Sequence, residues 1–555
     1  MTTSDPAAEV AAPSLDDARA LATATDALIT AAVARLVDLT GAGERIDDHQ
    51  VAVEVVTYAA TEARVARALV DAVVAHPTAS AAFTAPALGA VAGLHRAARD
   101  RLDAIAGDLG LDDALSAARA PAVRAALDRL GHERQLRAIG RAVIESAGKN
   151  PWPLEATLAE IRASVRQFAD REVAPHAEHI HRHDELVPDR IIDAMAALGY
   201  FGLSVPEAHG GHELGNLAMI LTTEELSRAS LAAGGSLITR PEILAKALLA
   251  GGTEAQRATW LPRIASGELM VAISVTEPDV GSDVAAVACR ATPATDGDRT
   301  GWRLTGAKAW CTFAGRADII AVLARTDPDA SRGARGLSLF IVEKPRSDGH
   351  AFDATQPGGG RLSGKADRTP GYRGMHSFTL AFEDWFVPAA NLVGEEAGIG
   401  RGFHLQMAGF AAGRLQTGGR ACGLAQAALE HTAGSVAARR QFGRPIASFG
   451  LTQHQLGVMA TRLAAARAIT YAAAAAMDTD ERAAAPLAAQ AKLFACDVAV
   501  DVTQRGQVLH GGWGYAEEYP ISRCVVDALV LPIFEGVRPV LVLKVIARAL
   551  LGRAA

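Results

Sequence analysis

Glu535 stands between Ile533-Phe534 and Gly536, a carboxylate in an apolar and aromatic context. Such a group can abstract a proton, because loss of water makes a carboxylate a stronger acceptor, or it can be the buried partner of a cation. The local residues leave both readings open. A second possible chemistry is metal binding, since His176, His179, His181 and His183 recur at spacings that can share a helix face. No Cys or Asp/Glu pattern completes a ligand set around them, so no metal is expected. The five cysteines, Cys289, Cys311, Cys422, Cys496 and Cys524, include no C-x-x-C pair. They argue against a disulfide framework or a thiolate metal site and fit a reducing cytoplasm. The stretch VTEPDVGSD (275–283) reads by itself as a strand end with an Asp/Gly turn. No G-x-G-x-x-G follows a strand, so any dinucleotide must be held by something other than a doubly wound sheet.

These residues need elements to position them, and the chain is long enough for several cores, with 555 residues of which half are apolar. From about Leu15 to Ile144, apolar residues recur every three or four positions in an Ala- and Leu-rich background, which predicts a helical block. Gly148-Lys149-Asn150-Pro151-Trp152-Pro153 breaks it, and helical periodicity resumes in 154–173, 190–198, 217–229 and 240–250. Between Met270 and Pro388 the pattern changes to short β-branched and apolar runs: VAISVT (271–276), WRLT (302–305), DIIAVLA (318–324), LSLFIVE (337–343) and FTLAF (378–382). The Gly-, Pro- and charge-rich stretch Arg346–Arg373 reads as a long surface loop. After Gly402 helices return, notably over 451–477 and 484–508. The expected units are residues 1–150, 151–269, 270–395 and 396–555, an α+β arrangement. Residues 47–69 and 452–472 echo one another, with His49-Gln50 against His454-Gln455.

Net charge is −7, from 55 basic and 62 acidic residues without a basic run, so nucleic acid is not an expected partner. The N-terminus MTTSDPAAEVAAPSLDD lacks the cationic and apolar regions of a leader, and no long uncharged apolar run predicts membrane insertion.

Five segments, in order, resemble the acyl-CoA dehydrogenases: VPEAHGG (205–211), VTEPDVGSD (275–283), AKAWCTFAG (307–315), RRQFGRPIASFGLTQHQ (439–455) and QVLHGGWGY (507–515), followed by FEG (534–536). The resemblance runs from about Pro151 to Leu551. It implies that family's fold (helical domain, central β domain, C-terminal four-helix bundle) behind an extra helical extension. It implies FAD as cofactor and Glu535 as the base that removes the α-proton of a CoA thioester while hydride passes to flavin N5. The enolate oxygen would be stabilised by a ribityl hydroxyl and the backbone N–H of the base. By the same resemblance Thr276, Trp310 and Thr312 lie at the flavin ring and Ser282 near the cofactor and the CoA chain. Arg439, Gln441, Phe442, Phe449, Gln453, Gln507, Gly511 and Gly512 would hold the ADP half of FAD across a subunit interface, so a homodimer is the minimum and a tetramer is possible. Some relatives carry the base at the position of Gly413, where glycine cannot serve. Val537-Arg538-Pro539 replaces the threonine and later polar residue usual after Glu-Gly, and Gly450 stands where glutamine is common, so cofactor contacts there are lost or replaced.

The extension, the RRQFG and FEG contexts and KADRTPGYRGMHSF (365–378) are similar to the (2S)-methylsuccinyl-CoA dehydrogenases, implying conversion of (2S)-methylsuccinyl-CoA to mesaconyl-CoA in the ethylmalonyl-CoA pathway. Such a substrate carries a carboxylate that needs a buried cation. Arg240, in SLITRPEIL, is the first candidate; Arg373 and His376 follow, and Arg414 is assigned to the thioester end. Electron-transfer flavoprotein is the implied acceptor. Rival readings are a dehydrogenase or oxidase of another short-chain, branched or dicarboxylic acyl-CoA, and a flavin-free CoA-ester binding or scaffold protein, which would be colourless.

Overall fold

A computed structural model describes residues 13–552; the first twelve residues of the stretch read above for a leader lie outside the described residues. The N-terminal block folds as helices, the longest being Leu15–Thr40, Gln50–Ala75 and Ala81–Asp103. Ser14 caps the first by accepting from the Asp17 N–H, and Gly41 closes it in the left-handed region at φ 60°. The break after the block is pinned to the rest of the protein: Asn150 Nδ2 donates to the Ala460 carbonyl (2.9 Å), and Gln426 Nε2 donates to that of Gly148 (2.9 Å).

A second helical layer includes Ala156–Phe168, Gly215–Ala229 and Thr239–Gly251. It leads into an eight-stranded sheet ordered Val271–Ser274, Ile319–Arg325, Arg290–Asp296, Arg299–Thr312, Ser377–Pro388, Arg361–Ala366 and Ala351–Thr355, with Leu337–Glu343 paired to Ile319–Arg325. The outer hairpin, 351–366, corrects the expectation of one long loop. Its short strands alternate between exposed and more buried positions, with Phe352, Ala354 and Leu362 turned inward, and Gly364 makes room for Phe352, since a Cβ there would sit 2.4 Å from that ring.

The C-terminal region is built on three long helices, Gly402–Ala438, Gly450–Thr479 and Glu481–His510, followed by the shorter Pro520–Ala528 and a helical run over 538–550. A fully buried Arg467 joins two layers through Glu224 (2.6 Å), whose other oxygen accepts from the Tyr471 hydroxyl (2.6 Å). Leu15–Thr40 and the stretch from Glu481 to Tyr515 are long and apolar enough by length and composition to cross a membrane, a property the sequence reading missed. Both pack on neighbouring helices, and the second is mostly buried.

The N-terminal block lies directly on this bundle. Helix Glu133–Glu145 crosses Gly450–Thr479 at paired glycines: a Cβ on Gly140 would fall 1.7 Å from the Gln453 carbonyl oxygen, and one on Gly457 would fall 1.9 Å from that of Leu136. The echoing segments 47–69 and 452–472 lie largely in two helices, Gln50–Ala75 and Gly450–Thr479, that pack on one another.

Within the block, Glu62 is buried beside Arg101 (Nε to Oε1, 3.1 Å), and burial outweighs that partner, pushing the carboxyl up to about 7. The folded chain then holds a proton that the unfolded chain releases near pH 4.5. Stability is expected to fall by roughly 3 kcal/mol from this group as pH rises between those values. Thermal melts of Glu62→Gln against the parent should show the variant's relative stability improving from pH 5 to pH 8; a pH-independent difference would contradict this.

Candidate active site

Glu535 sits in a turn after the helix Pro520–Ala528, with φ 56°, followed by Gly536 at φ 100°. Two successive residues in the left-handed region form a bend that only the surroundings can hold. Lys492, from Glu481–His510, donates to the Gly536 carbonyl at 2.7 Å and fixes the bend from beneath. The Glu535 side chain, 7 % exposed, then points at the middle of Gly402–Ala438. A Cβ on Gly413 would lie 2.4 Å from Glu535 Oε2, so the absence of a side chain there makes the space for the carboxylate. Oε2 has no hydrogen-bond partner, and among the described residues the Glu535 N–H meets no backbone or side-chain acceptor.

The surroundings are less apolar than the sequence suggests. Arg420, fully buried, approaches Glu535 Oε1 at 3.8 Å, lies 4.8 Å over the Phe534 ring, and donates to Thr417 Oγ1 (2.6 Å) and Ser236 Oγ (3.4 Å). Arg414 and Lys492 also face this carboxylate, and burial holds Arg414, Arg420 and Lys492 below their ordinary values. Arg414 keeps its Nε buried and unpartnered.

Arg240 is brought to the same space. It is buried at the start of Thr239–Gly251 and donates to the Ser236 carbonyl (3.1 Å) and the Tyr372 hydroxyl (3.0 Å). Tyr372, at φ 60°, is oriented by its N–H to Asp527 Oδ1 (2.7 Å), and its ring meets Phe534 edge-on at 5.7 Å. Ser236 thus contacts both arginines, and Tyr372-Phe534 joins Arg240 to Glu535. The other two carboxylate-binding candidates turn elsewhere. Arg373 donates to the His181 carbonyl (3.0 Å), and His376 pairs with Asp184 (3.1 Å) beside His350. Of the histidines 176–183, His176 turns toward Arg190 and His179 toward Glu185, while the His179 and His183 rings lie 4.3 Å apart. Arg420, Tyr372 and Lys492 were missed by sequence reasoning. The available signal for Arg420 was a lone charge in the apolar run Leu415–Leu429.

On the sheet, the register of Arg299–Thr312 against Ser377–Pro388 shifts between Lys308 and Cys311, and this irregularity turns Trp310 out at φ 57° and 60 % exposure. Thr312 Oγ1 is 2.9 Å from Ser377 Oγ, and the Ala309 N–H donates to the Thr276 carbonyl (2.8 Å), so Thr276, Trp310 and Thr312 form one group. Ser282 lies on an exposed turn beyond it.

The remaining candidates gather at the other end of Glu481–His510. Arg439 donates to the His510 carbonyl (2.6 Å), and a side chain on Gly511, at φ 66°, would crowd its guanidinium at 3.1 Å; around Gly512 the space is open. Gln507 donates to the Gly514 carbonyl (3.1 Å). Gln441 and Phe442 form a hairpin tip, Phe442 being 92 % exposed with Phe449 edge-on at 6.2 Å. Gln453 contacts Arg141 at 3.5 Å, and the Arg137 guanidinium lies 3.3 Å from where a Cβ on Gly450 would stand. The N-terminal block therefore fills space beside the glycine that replaces the usual glutamine. Leu451, Val508, Trp513 and Tyr515 are also exposed.

Glu535, buried with its Oε2 unpartnered, thus lies among buried guanidiniums, and Thr276 and Thr312 gather beside the exposed Trp310 ring on the sheet. Comparison with known proteins identifies the family. Models of the acyl-CoA dehydrogenase N-terminal, middle and C-terminal domains match residues 155–268, 272–385 and 400–551. The chain is 40 % identical over 439 residues to (2S)-methylsuccinyl-CoA dehydrogenase of Cereibacter sphaeroides, covering 79 % of this chain and 76 % of that one. Butyryl-CoA dehydrogenase of Megasphaera elsdenii superposes with a TM-score of 0.65 at 30 % identity, over 72 % of this chain and 100 % of that one. A glutaryl-CoA dehydrogenase of Mycobacterium smegmatis in complex with FADH2 does so with 0.62 at 25 %, over 72 % and 96 %. The chain belongs to the acyl-CoA dehydrogenase family, and its reaction is oxidation of an acyl-CoA.

Gly413→Ala should displace the flexible Glu535 carboxylate rather than the helix. Turnover is expected to fall by about tenfold or more, with thermal unfolding nearly unchanged. Steady-state kinetics beside a melting curve check this, and unaltered turnover would show that the carboxylate is not needed where it lies.

Proposed function

We propose that this enzyme oxidises (2S)-methylsuccinyl-CoA to mesaconyl-CoA, with Glu535 as base and Arg240 as receptor of the substrate's free carboxylate. The observation that carries the substrate is charge. Arg240 and Arg420 are both buried at the acyl end, Glu535 is the carboxylate near Arg420, and no described carboxylate lies in ion-pair range of Arg240. Buried guanidiniums without balancing anions are costly, and a dicarboxylic acyl group supplies the anion that a fatty acyl chain lacks. The relative in Cereibacter sphaeroides, named for this substrate, supports the same choice.

In this reading the substrate carboxylate meets Arg240 and the Tyr372 hydroxyl, and the thioester oxygen meets the Glu535 N–H. Glu535 Oε2, free of other partners, takes the α-proton. Bound FAD supplies the acceptor for the hydride leaving Cβ. Thr276, Trp310, Thr312 and Ser282 line the ring and CoA side. Arg439, Gln441, Phe442, Phe449, Gln453, Gln507, Gly511 and Gly512 form an open cradle suited to the ADP half, with glycines admitting the pyrophosphate and arginine meeting its charge. Lys492 and Gly511 are roughly 28 Å apart along one helix at 1.5 Å per residue. That separation supports a homodimer in which one chain's cradle serves its partner's cofactor, and the exposed Phe442 supports an interface there. Electron-transfer flavoprotein is the proposed acceptor, and the five buried free thiols fit a cytoplasmic setting.

Anaerobic addition of CoA esters to the purified holoenzyme tests the reading. The flavin band should bleach faster with (2S)-methylsuccinyl-CoA than with butyryl-CoA or glutaryl-CoA, and Glu535→Gln should abolish the bleaching. Faster bleaching by butyryl-CoA would remove the dicarboxylic substrate, and a colourless protein unable to take up FAD would leave only a binding or scaffold role.

A further inference from the structure

The turn that carries Glu535 runs straight into a helical run, 538–550, and this run is embedded in the N-terminal block. Ala547 and Leu551 belong to one apolar cluster with Leu28, Leu36, Val56 and Leu102, while Leu541, Val542 and Ile546 pack on Tyr58, Ala489 and Leu493. Polar contacts reinforce this. Lys544 pairs with Asp47 at 3.1 Å, and Arg538, three residues after Glu535, reaches Asp497 at 3.2 Å and Glu54 at 3.6 Å. The Arg538 guanidinium also lies 4.9 Å from the Tyr58 ring centroid, with that of Arg101 at 4.1 Å. Tyr58, buried on Gln50–Ala75, donates its hydroxyl to Asp497 Oδ2 at 2.5 Å. Burial and the Asp497 charge hold the phenol well above its ordinary value, so it remains a donor.

Asp497 and Lys492 are on one helix, and Lys492 holds the Gly536 carbonyl. The bend at 535–536 is thus gripped at its end by Lys492 on the Gly536 carbonyl and just beyond it by Arg538, whose partners Glu54 and Tyr58 come from the N-terminal block. A single exposed ion pair contributes little, but an arginine held by two carboxylates and an aromatic ring loses most of its freedom.

We infer that the N-terminal block is a positioning device for the catalytic turn: through Tyr58, Glu54 and Arg538 it holds the left-handed bend that aims Glu535 at the substrate α-carbon. Arg538, which stands out of pattern in the sequence, contacts the block and keeps the base in place. Tyr58 and Arg538 are positioning residues and touch no reacting atom. The inference rests on Glu535 being the base.

Arg538→Met, Arg538→Lys and Tyr58→Phe in the full-length holoenzyme separate positioning from general structure. Arg538→Met should slow anaerobic flavin reduction about tenfold at unchanged KM, because misplacement of the base by a fraction of an ångström weakens proton transfer. The isotope effect with α-deuterated substrate should rise, and Arg538→Lys should recover most of the rate. Tyr58→Phe should follow Arg538→Met with a smaller loss. Amide hydrogen exchange over residues 533–540 should quicken in Arg538→Met and Tyr58→Phe, while residues 81–131 stay protected and FAD content stays constant. Unchanged exchange at 533–540 overturns the tether. Faster exchange with unchanged reduction rate and isotope effect overturns its role in positioning the base. Full activity in Glu535→Gln would overturn the assignment of the base instead, and the exchange measurement would still report on the tether.

Discussion

The structure depends on holding one carboxylate in a nearly dry space against the backbone of a helix. Glu535 can occupy that space because residue 413 has no side chain, and it reaches it because residues 535 and 536 both adopt left-handed conformations. Neither feature is favourable alone: glycine weakens a helix interior, and a non-glycine residue at φ 56° is strained. Each is offset by neighbours that fix the turn, with Lys492 on the Gly536 carbonyl and Arg420 on Phe534 and near Oε1.

The same constraint sets the electrostatics. A carboxylate surrounded by Arg414, Arg420 and Lys492, with Arg240 reached through Tyr372 and Ser236, lies in a site where positive charge exceeds negative charge. Preorganised cations cost stability in the free enzyme, and the single free carboxylate of the proposed substrate would relieve that cost on binding. Arg240 is rigid before substrate arrives, because the Ser236 carbonyl and Tyr372 hydroxyl hold its guanidinium and Asp527 holds Tyr372.

Much of this was legible in the sequence because it is local. Period and turn signals found the long helices, the strand Leu337–Glu343 and the change to a β domain, while ordered motifs singled out Glu535 and Trp310 as candidates and the need for a buried cation singled out Arg240. What escaped is produced by tertiary convergence. The hairpin 351–366 has too few apolar positions to announce itself, and its glycine serves an aromatic neighbour on the opposite strand. Arg373 and His376 are attractive by type but face His181 and Asp184, whereas their neighbour Tyr372 enters the site. Arg420 was hidden in an Ala- and Gly-rich helix, and the expected apolar surroundings of Glu535 became cationic once that helix packed. The contact of Arg538 with Glu54 joins residues 484 positions apart, beyond any local pattern.

The most direct test of a charge-selected acyl site compares (2S)-methylsuccinyl-CoA with 2-methylbutanoyl-CoA, in which a methyl group replaces the carboxylate, in the parent enzyme and in Arg240→Met. The parent should favour the dicarboxylic ester in kcat/KM. Arg240→Met should lose activity on that ester by on the order of a hundredfold, the scale for unpairing a buried charge, and change little on the neutral one. Equal losses on both esters, or a parent enzyme that prefers the neutral ester, would contradict the account.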